Sequence, residues 1–149
     1  MLFGSPQNSP KMALCLSRAL QGKLLTKEFL KSVGQWRVCV LCNTTQESIQ
    51  HLFVSCPFSS YLWSLCRLKL GLAGSPGTLY EEASLIQPKF HAKCKSTILA
   101  KNTIAAAVWH VWKEWNLRIF RLQSSHKIMV FRMLYEDIRL LLRTCNWKV

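Results

Sequence analysis

Three cysteines and one histidine, Cys39, Cys42, His51 and Cys56, lie within eighteen residues of the chain. Their spacing is C-x2-C-x8-H-x4-C. Zinc prefers tetrahedral sites built from thiolate sulfur and imidazole nitrogen, and four such ligands leave no position for an activated water. The pattern therefore predicts one structural zinc ion at these four residues, and not a hydrolytic centre.

Two other interpretations of the same residues remain open. The cysteines can be small buried hydrophobes, with His51 a hydrogen-bonded core residue beside Leu52 and Phe53. The Cys39-Cys42 pair can also serve thiol exchange, although no strand-helix-strand pattern surrounds it. The short loop distances among all four residues favour metal binding over both.

The remaining cysteines favour reduced thiols over a disulfide framework. Seven cysteines is an odd number, and the first residues lack the features of a secretory signal. Cys15, Cys66, Cys94 and Cys145 fall on apolar helical patterns, so we expect buried structural thiols. We expect an intracellular protein of the nucleus or cytoplasm, not a secreted one.

The elements around the ligands are predicted to be helical. A first helix is predicted between Pro10 and Gly22, and a second between Thr26 and Gly34. Residues 44–47 offer a capping box for a short helix that begins near Glu47. Because His51 and Cys56 are five residues apart, that helix should bend or end near Ser55, before Pro57 begins the next.

The C-terminal half is predicted to form a helical hairpin. A glycine- and proline-rich break at residues 71–77 ends the helix from Pro57, and residues 78–96 are left mostly unassigned. Apolar side chains recur at steps of three and four over residues 96–122, and again after a cap at Ser124-Ser125. The fold prediction is mainly α, with a small Cys3His zinc knuckle between short helices in residues 1–70, a linker in 71–96 and the hairpin in 97–149.

The charge of the chain indicates a polyanionic partner. Twenty Lys and Arg oppose seven Asp and Glu, for a formal +13. Such an excess favours binding to RNA, DNA or an acidic membrane surface. No membrane-spanning segment is predicted, because the most apolar stretch, residues 104–112, is too short to span a bilayer. The residues predicted to contact nucleic acid surround the knuckle, with Trp36 as the candidate for base stacking: Lys23, Lys27, Lys31, Trp36, Arg37, Arg67 and Lys69. The alternative is that the basic residues are ordinary solvated helix faces.

These residues also carry a family resemblance. Residues 39–42, 47–53 and 56–63 resemble the zinc-binding domain found after the reverse transcriptase of plant LINE-type (non-LTR) retrotransposons. Residues 10–11 and 22–27 resemble the lead-in helices of that family, and residues 108–120 resemble the helix that commonly follows. The resemblance implies a Cys3His zinc module that helps a retroelement protein to hold its RNA template or target DNA.

Enzyme activity is not expected. The sequence has no Tyr-x-Asp-Asp motif and a single aspartate, Asp137, whereas two-metal nucleotidyl transfer needs paired carboxylates. His110 and Glu114 are four residues apart, but no second histidine completes a metal motif, and we assign them no role.

Three classes of function remain open. The first is a non-catalytic zinc-dependent nucleic-acid binder derived from a retrotransposon. The second is a zinc-stabilised interaction module whose C-terminal aromatic helix, with Trp109, Trp112 and Trp115, docks on another protein. The third is a retroelement remnant with no selected function.

Overall fold

The computed structural model describes residues 10–24, 38–72, 74–84 and 95–144. These residues form five α-helices and one π-helical turn, and their only β-type pairing is an isolated bridge between Val38 and Gln46. The predicted mainly α fold is confirmed. The elements in chain order are α1 (Pro10–Leu20), π1 (His51–Ser55), α2 (Pro57–Lys69), α3 (Leu79–Ser84), α4 (Lys95–Phe120) and α5 (Lys127–Thr144).

Helix α1 begins at Pro10, where a missing N–H costs nothing, and buries Met12, Cys15 and Leu16 on one side. It ends at Leu20, before Gly22 as predicted, and the φ of 67° at Gly22 lets the chain leave the helix while the Lys23 N–H donates to the carbonyl of Arg18 at 2.8 Å. The helix predicted between Thr26 and Gly34 lies outside the described residues.

Helix α4 is the central element of the core. It packs against α1, α2, α3, α5 and π1, and every residue from 102 to 108 is buried. One hydrophobic cluster extends from Met12 in α1 to Ile138 in α5. The three predicted segments thus contribute to one core among the described residues, and their division into modules stays a prediction.

The predicted C-terminal hairpin is present, with a different helix start. Leu122, just after α4, has a φ of 52°, and the Gln123 N–H donates to the carbonyl of Leu117 at 3.1 Å. The sequence predicts a cap at Ser124-Ser125, and this prediction is wrong. The residue that caps helix α5 is His126. The carbonyl of His126 accepts the first helical bond from Val130, and its Nδ1 lies 3.3 Å from the Ile128 nitrogen.

No helix in the described part of the chain is both long enough and apolar enough to cross a bilayer.

Candidate metal centre

The structure brings the four predicted ligand residues together. One ligand atom from each of Cys39, Cys42, His51 and Cys56 lies within 4.8 Å of all the others. The Sγ atoms of Cys39 and Cys56 are 3.9 Å apart, and Cys42 Sγ is 3.4 Å from His51 Nε2. Tetrahedral zinc with bonds of about 2.3 Å to sulfur and about 2.0 Å to nitrogen has ligand–ligand edges of about 3.5–3.8 Å. The cluster therefore has the size and the donor set of a zinc site.

The π-helical turn explains how His51 and Cys56 converge. The Cys56 N–H donates to the carbonyl of His51 at 2.7 Å, a bond between residues i and i+5. This wider turn brings positions five apart onto one side, which a regular α-helix does not do. The predicted helix end at Ser55 is confirmed, and Cys56 then adopts the extended backbone that a following proline favours.

Side chains at both ends satisfy the backbone of this turn. Ser48 Oγ accepts the His51 N–H at 3.0 Å, so Ser48 is the cap, and the capping box predicted at residues 44–47 is wrong. At the other end the hydroxyl of Ser59 and the indole N–H of Trp63 donate to the carbonyls of Leu52 and Phe53. These bonds fix His51 between two anchored ends.

The first two cysteines lie on a tight knuckle. The Asn43 N–H donates to the carbonyl of Cys39 at 2.8 Å, and Asn43 itself has a φ of 56°, which asparagine tolerates better than most residues. The Cys39 N–H donates to the carbonyl of Thr45 at 2.8 Å and closes the loop. The knuckle thus aims both sulfur atoms at the same point.

Hydrogen bonds to sulfur favour the thiolate form at two of the three clustered cysteines. Burial raises the pKa of Cys42, but the Thr44 hydroxyl, the N–H groups of Thr44 and Thr45, and His51 together lower it to about 7. The bond from the Cys39 thiol to Cys56 lowers the pKa of Cys56 and raises that of Cys39. Because metal ligands must be deprotonated, Cys42 and Cys56 are biased toward the form that binds a cation, whereas Cys39 is held as the neutral thiol.

A buried carboxylate ties the knuckle to α4. Glu47 is 3% exposed, and its two oxygens accept the indole N–H of Trp115 at 3.1 and 3.0 Å. Trp115 is 1% exposed. The bond joins residues that are far apart in the sequence, and it satisfies a charge that would be costly to bury alone.

Arg118 makes a second connection to α4. Its Nη1 donates to the carbonyls of Val40 and Leu41, the two residues between the first cysteines, at 3.2 and 3.3 Å. Its Nε lies 2.9 Å from Glu114 Oε1 and its Nη2 donates to the carbonyl of Ser125 at 3.1 Å. We call Glu114 and Arg118 the knuckle latch, because they hold the Cys39–Cys42 loop against α4.

The structure places the residues predicted to contact nucleic acid in different environments. Lys23 and Lys69 are exposed, and Lys69 Nζ lies 5.4 Å from the Tyr135 ring centroid. Arg67 does not lie on a basic rim: it is 9% exposed and its Nη1 bonds Glu82 at 2.7 Å. This correction follows from the buried charge of Glu82, which needs a partner. Lys27, Lys31, Trp36 and Arg37 lie outside the described residues.

The acidic residues of α4 and α5 have structural partners. His110 Nε2 lies 2.7 Å from Asp137 Oδ2, and Glu114 belongs to the latch. Sequence patterns did not reveal Glu47, Trp115 and Arg118 as supports of the site. The one available signal was the four-residue spacing of Glu114 and Arg118, which is common on helices.

No curated protein and no solved structure matches the chain. A family model does match, over residues 2–63, and its description is zinc-binding in reverse transcriptase. All four clustered ligand residues lie inside the matched span, whereas the knuckle latch lies outside it. Residues 2–63 of this chain are therefore similar to the zinc-binding segment of reverse transcriptases.

Proposed function

We propose that the chain binds one structural zinc ion through Cys39, Cys42, His51 and Cys56, and that the stiffened basic unit binds nucleic acid without catalysing a reaction. One observation carries the proposal: four zinc-type ligand atoms lie within 4.8 Å of one another.

Zinc is favoured over other ions by the chemistry of the donors. Three sulfurs and one imidazole suit a soft or borderline ion, and oxygen-preferring Mg²⁺ and Ca²⁺ do not fit. Cys39 and Cys56 are fully buried and His51 is 8% exposed, whereas Cys42 is half-buried, so water reaches the cluster from the Cys42 side. When bound, zinc would cross-link the knuckle to π1 and supply stability, not a reactive water.

The distribution of charge supports a nucleic-acid partner. Every acidic side chain among the described residues has an internal partner. The pairs are Glu47 with Trp115, Glu81 with the Thr78 N–H, Glu82 with Arg67, Glu114 with Arg118, Glu136 with Arg139 and Asp137 with His110. Two of these acidic residues, Glu81 and Glu136, are exposed, but exposed basic residues outnumber them. The exposed basic residues are Lys11, Arg18, Lys23, Lys69, Lys113, Arg121, Arg132 and Arg143. A surface of this kind attracts the phosphate backbone.

The absence of catalysis and the retroelement origin belong to the same proposal. The single aspartate of the sequence is paired with His110, so paired metal-binding aspartates are not available in this chain. The plant LINE-type resemblance supports descent from a retrotransposon, with RNA or DNA as ligand and the nucleus or cytoplasm as location.

The metal part is tested by elemental analysis of purified protein and by circular dichroism before and after chelation. We expect one zinc per chain and loss of helix signal when zinc is removed. The matched pair of variants is Cys56→Ser, a ligand, and Cys66→Ser, a buried thiol outside the cluster. Equal zinc content in the two variants would contradict the ligand assignment.

The nucleic-acid part is tested by fluorescence anisotropy with single-stranded RNA and DNA at two salt concentrations. Affinity should fall steeply with salt, in proportion to the phosphates that the protein neutralises. A zinc-loaded protein that binds neither strand at low salt would refute this role and leave the protein-interaction and remnant interpretations.

A further inference from the structure

One face of α4 presents aromatic and basic side chains to solvent. Trp109, Lys113, Asn116 and Phe120 follow one another at steps of four, three and four, so they form one stripe along the helix. Lys113 is exposed, Phe120 is 70% exposed and Trp109 is half-buried. The stripe runs for about 16 Å, from a rise of about 1.5 Å per residue. We call these four residues the α4 stripe.

The charges along the α4 stripe are positive. Lys11 of α1 holds its Nζ 5.1 Å from the centroid of the Trp109 ring, and exposed Arg121 follows Phe120. Within the described residues, neither Lys113 nor Arg121 belongs to an ion pair. The only acidic residue of α4 is Glu114, which is 2% exposed and bound to Arg118.

The exposed ring of Phe120 packs against a buried aromatic ring. It meets the Trp115 ring edge-on, with centroids 6.1 Å apart and planes at 74°. Trp115 in turn stacks on Trp112 at 4.8 Å and 11°. A ring supported from inside and exposed outside loses little side-chain entropy when a flat ligand stacks on it.

We propose that the α4 stripe binds a short single-stranded segment of nucleic acid. A base would stack on Phe120, and phosphates would pair with Lys113, Arg121 and Lys11, whose ammonium lies over the Trp109 ring. The combination of aromatic platforms with cations is the one that suits unpaired strands, since any base offers a flat face. A duplex hides those faces, so it would use only the charges.

This inference rests on the proposed nucleic-acid role and gives it a location. The four stripe residues lie outside residues 2–63, the span that the family model matches, and none of them is among the residues predicted from the sequence to contact nucleic acid. An acidic peptide is the competing partner, because it would also match the charge. It would gain less from Phe120, since carboxylate side chains do not stack.

The test uses the full zinc-loaded chain and a labelled oligouridine in fluorescence anisotropy. Phe120→Leu keeps an apolar side chain but removes the ring, and base stacking of about 1–3 kcal/mol predicts roughly 5- to 150-fold weaker binding. Phe120→Trp should restore the affinity. Leu140→Ala is the matched control, because Leu140 is 54% exposed on α5 and should leave binding unchanged.

The charge contact is tested by the salt dependence. Lys113→Gln should reduce the slope of log affinity against log salt by about 0.7, the value for one phosphate of a single strand. Arg132→Gln, a change at an exposed residue of α5, should leave the slope as in the wild type. Circular dichroism establishes that each variant keeps its helix content.

The outcomes separate the two proposals. If the wild type binds no oligonucleotide at low salt, the proposed function fails. If it binds, but Phe120→Leu and Lys113→Gln bind as tightly as the controls, only the α4 stripe is refuted. Base stacking as the mode of recognition would be overturned if the wild type bound poly-L-glutamate as tightly as oligouridine. It would also be overturned if the wild type bound an RNA duplex as tightly as oligouridine and Phe120→Leu lost the same affinity for both.

Discussion

Replacing Arg118 by alanine is expected to loosen the zinc knuckle from α4. The guanidinium bonds Glu114, Ser125 and the carbonyls of Val40 and Leu41, all at 2.9–3.3 Å. It also lies over the Phe58 ring, 5.0 Å from the centroid. The substitution removes all of these contacts in one step.

The size of the effect follows from burial. The Glu114 side chain is 2% exposed and that of Arg118 16%, so the change leaves a buried carboxylate without its cation. Breaking a buried pair in this way costs about 3–5 kcal/mol. We expect the lower end, about 3 kcal/mol, because Glu114 keeps the Ser125 N–H at 2.7 Å. That loss is a large fraction of the about 5–15 kcal/mol that holds a domain folded.

The assay is chemical denaturation of the zinc-loaded protein, together with the rate of zinc transfer to a chromogenic chelator. The matched control is Arg139→Ala, which breaks an exposed pair with Glu136 and should cost less than about 1 kcal/mol. Arg118→Lys keeps the positive charge but not the planar guanidinium with its several donors. Its loss of unfolding free energy should therefore lie between those of Arg118→Ala and Arg139→Ala. Zinc should leave Arg118→Ala faster than the control, because the Val40 and Leu41 carbonyls are no longer fixed.

The reasoning is refuted if Arg118→Ala and Arg139→Ala have the same free energy of unfolding within about 1 kcal/mol. It is also refuted if Arg118→Ala is destabilised but releases zinc at the wild-type rate. The knuckle latch would then stabilise the α4–α5 hairpin but not the Cys39–Cys42 loop.

Three further predictions concern other buried groups. Trp115→Phe should lower the free energy of unfolding by about 1–3 kcal/mol, because Glu47 loses its indole donor, and urea denaturation measures the loss. Burial raises the pKa of the Cys15 and Cys66 thiols to about 12, so iodoacetamide should not alkylate either in the folded protein at pH 8, as mass spectrometry of digests can show. Burial also lowers the pKa of His110 despite its acidic neighbour, so the folded state binds this proton less readily than the unfolded chain. Stability should therefore fall as pH decreases through about 6.5, and His110→Gln should remove part of the difference in unfolding free energy between pH 7.5 and pH 5.5.

Local patterns in the sequence predicted the four clustered residues and the helix boundaries beside Gly22, Pro57 and Gly71. The four ligand residues lie close together along the chain, so their spacing restricts how they can meet. Proline 57 and the glycines at 22 and 71 act through their own backbone, which explains why helices begin or end beside them. The turn at His51–Ser55 was predicted as a bend because residues five apart cannot share one side of an α-helix.

Contacts between distant residues were not predictable in the same way. Glu47 was interpreted as part of a capping box, but its carboxylate reaches across the core to Trp115. Arg67 was interpreted as a surface cation, but Glu82 from the unassigned segment neutralises it inside the protein. A charged residue next to a helix end has the same sequence signature whether its partner is water or a residue far along the chain.

The contacts that support the knuckle extend beyond the segment that carries the four clustered residues. The match to reverse-transcriptase zinc binding ends at residue 63, yet the indole that satisfies Glu47 and the guanidinium that holds the Cys39–Cys42 loop both belong to α4. A fragment cut after α2 would leave the Glu47 carboxylate and the two loop carbonyls without these partners, and zinc would have to order them alone. Because α4 also carries Phe120 and Lys113, the residues that support the knuckle and the proposed strand-binding stripe belong to one helix. Loss of zinc should therefore weaken binding at the stripe even though the ion itself touches no nucleic acid.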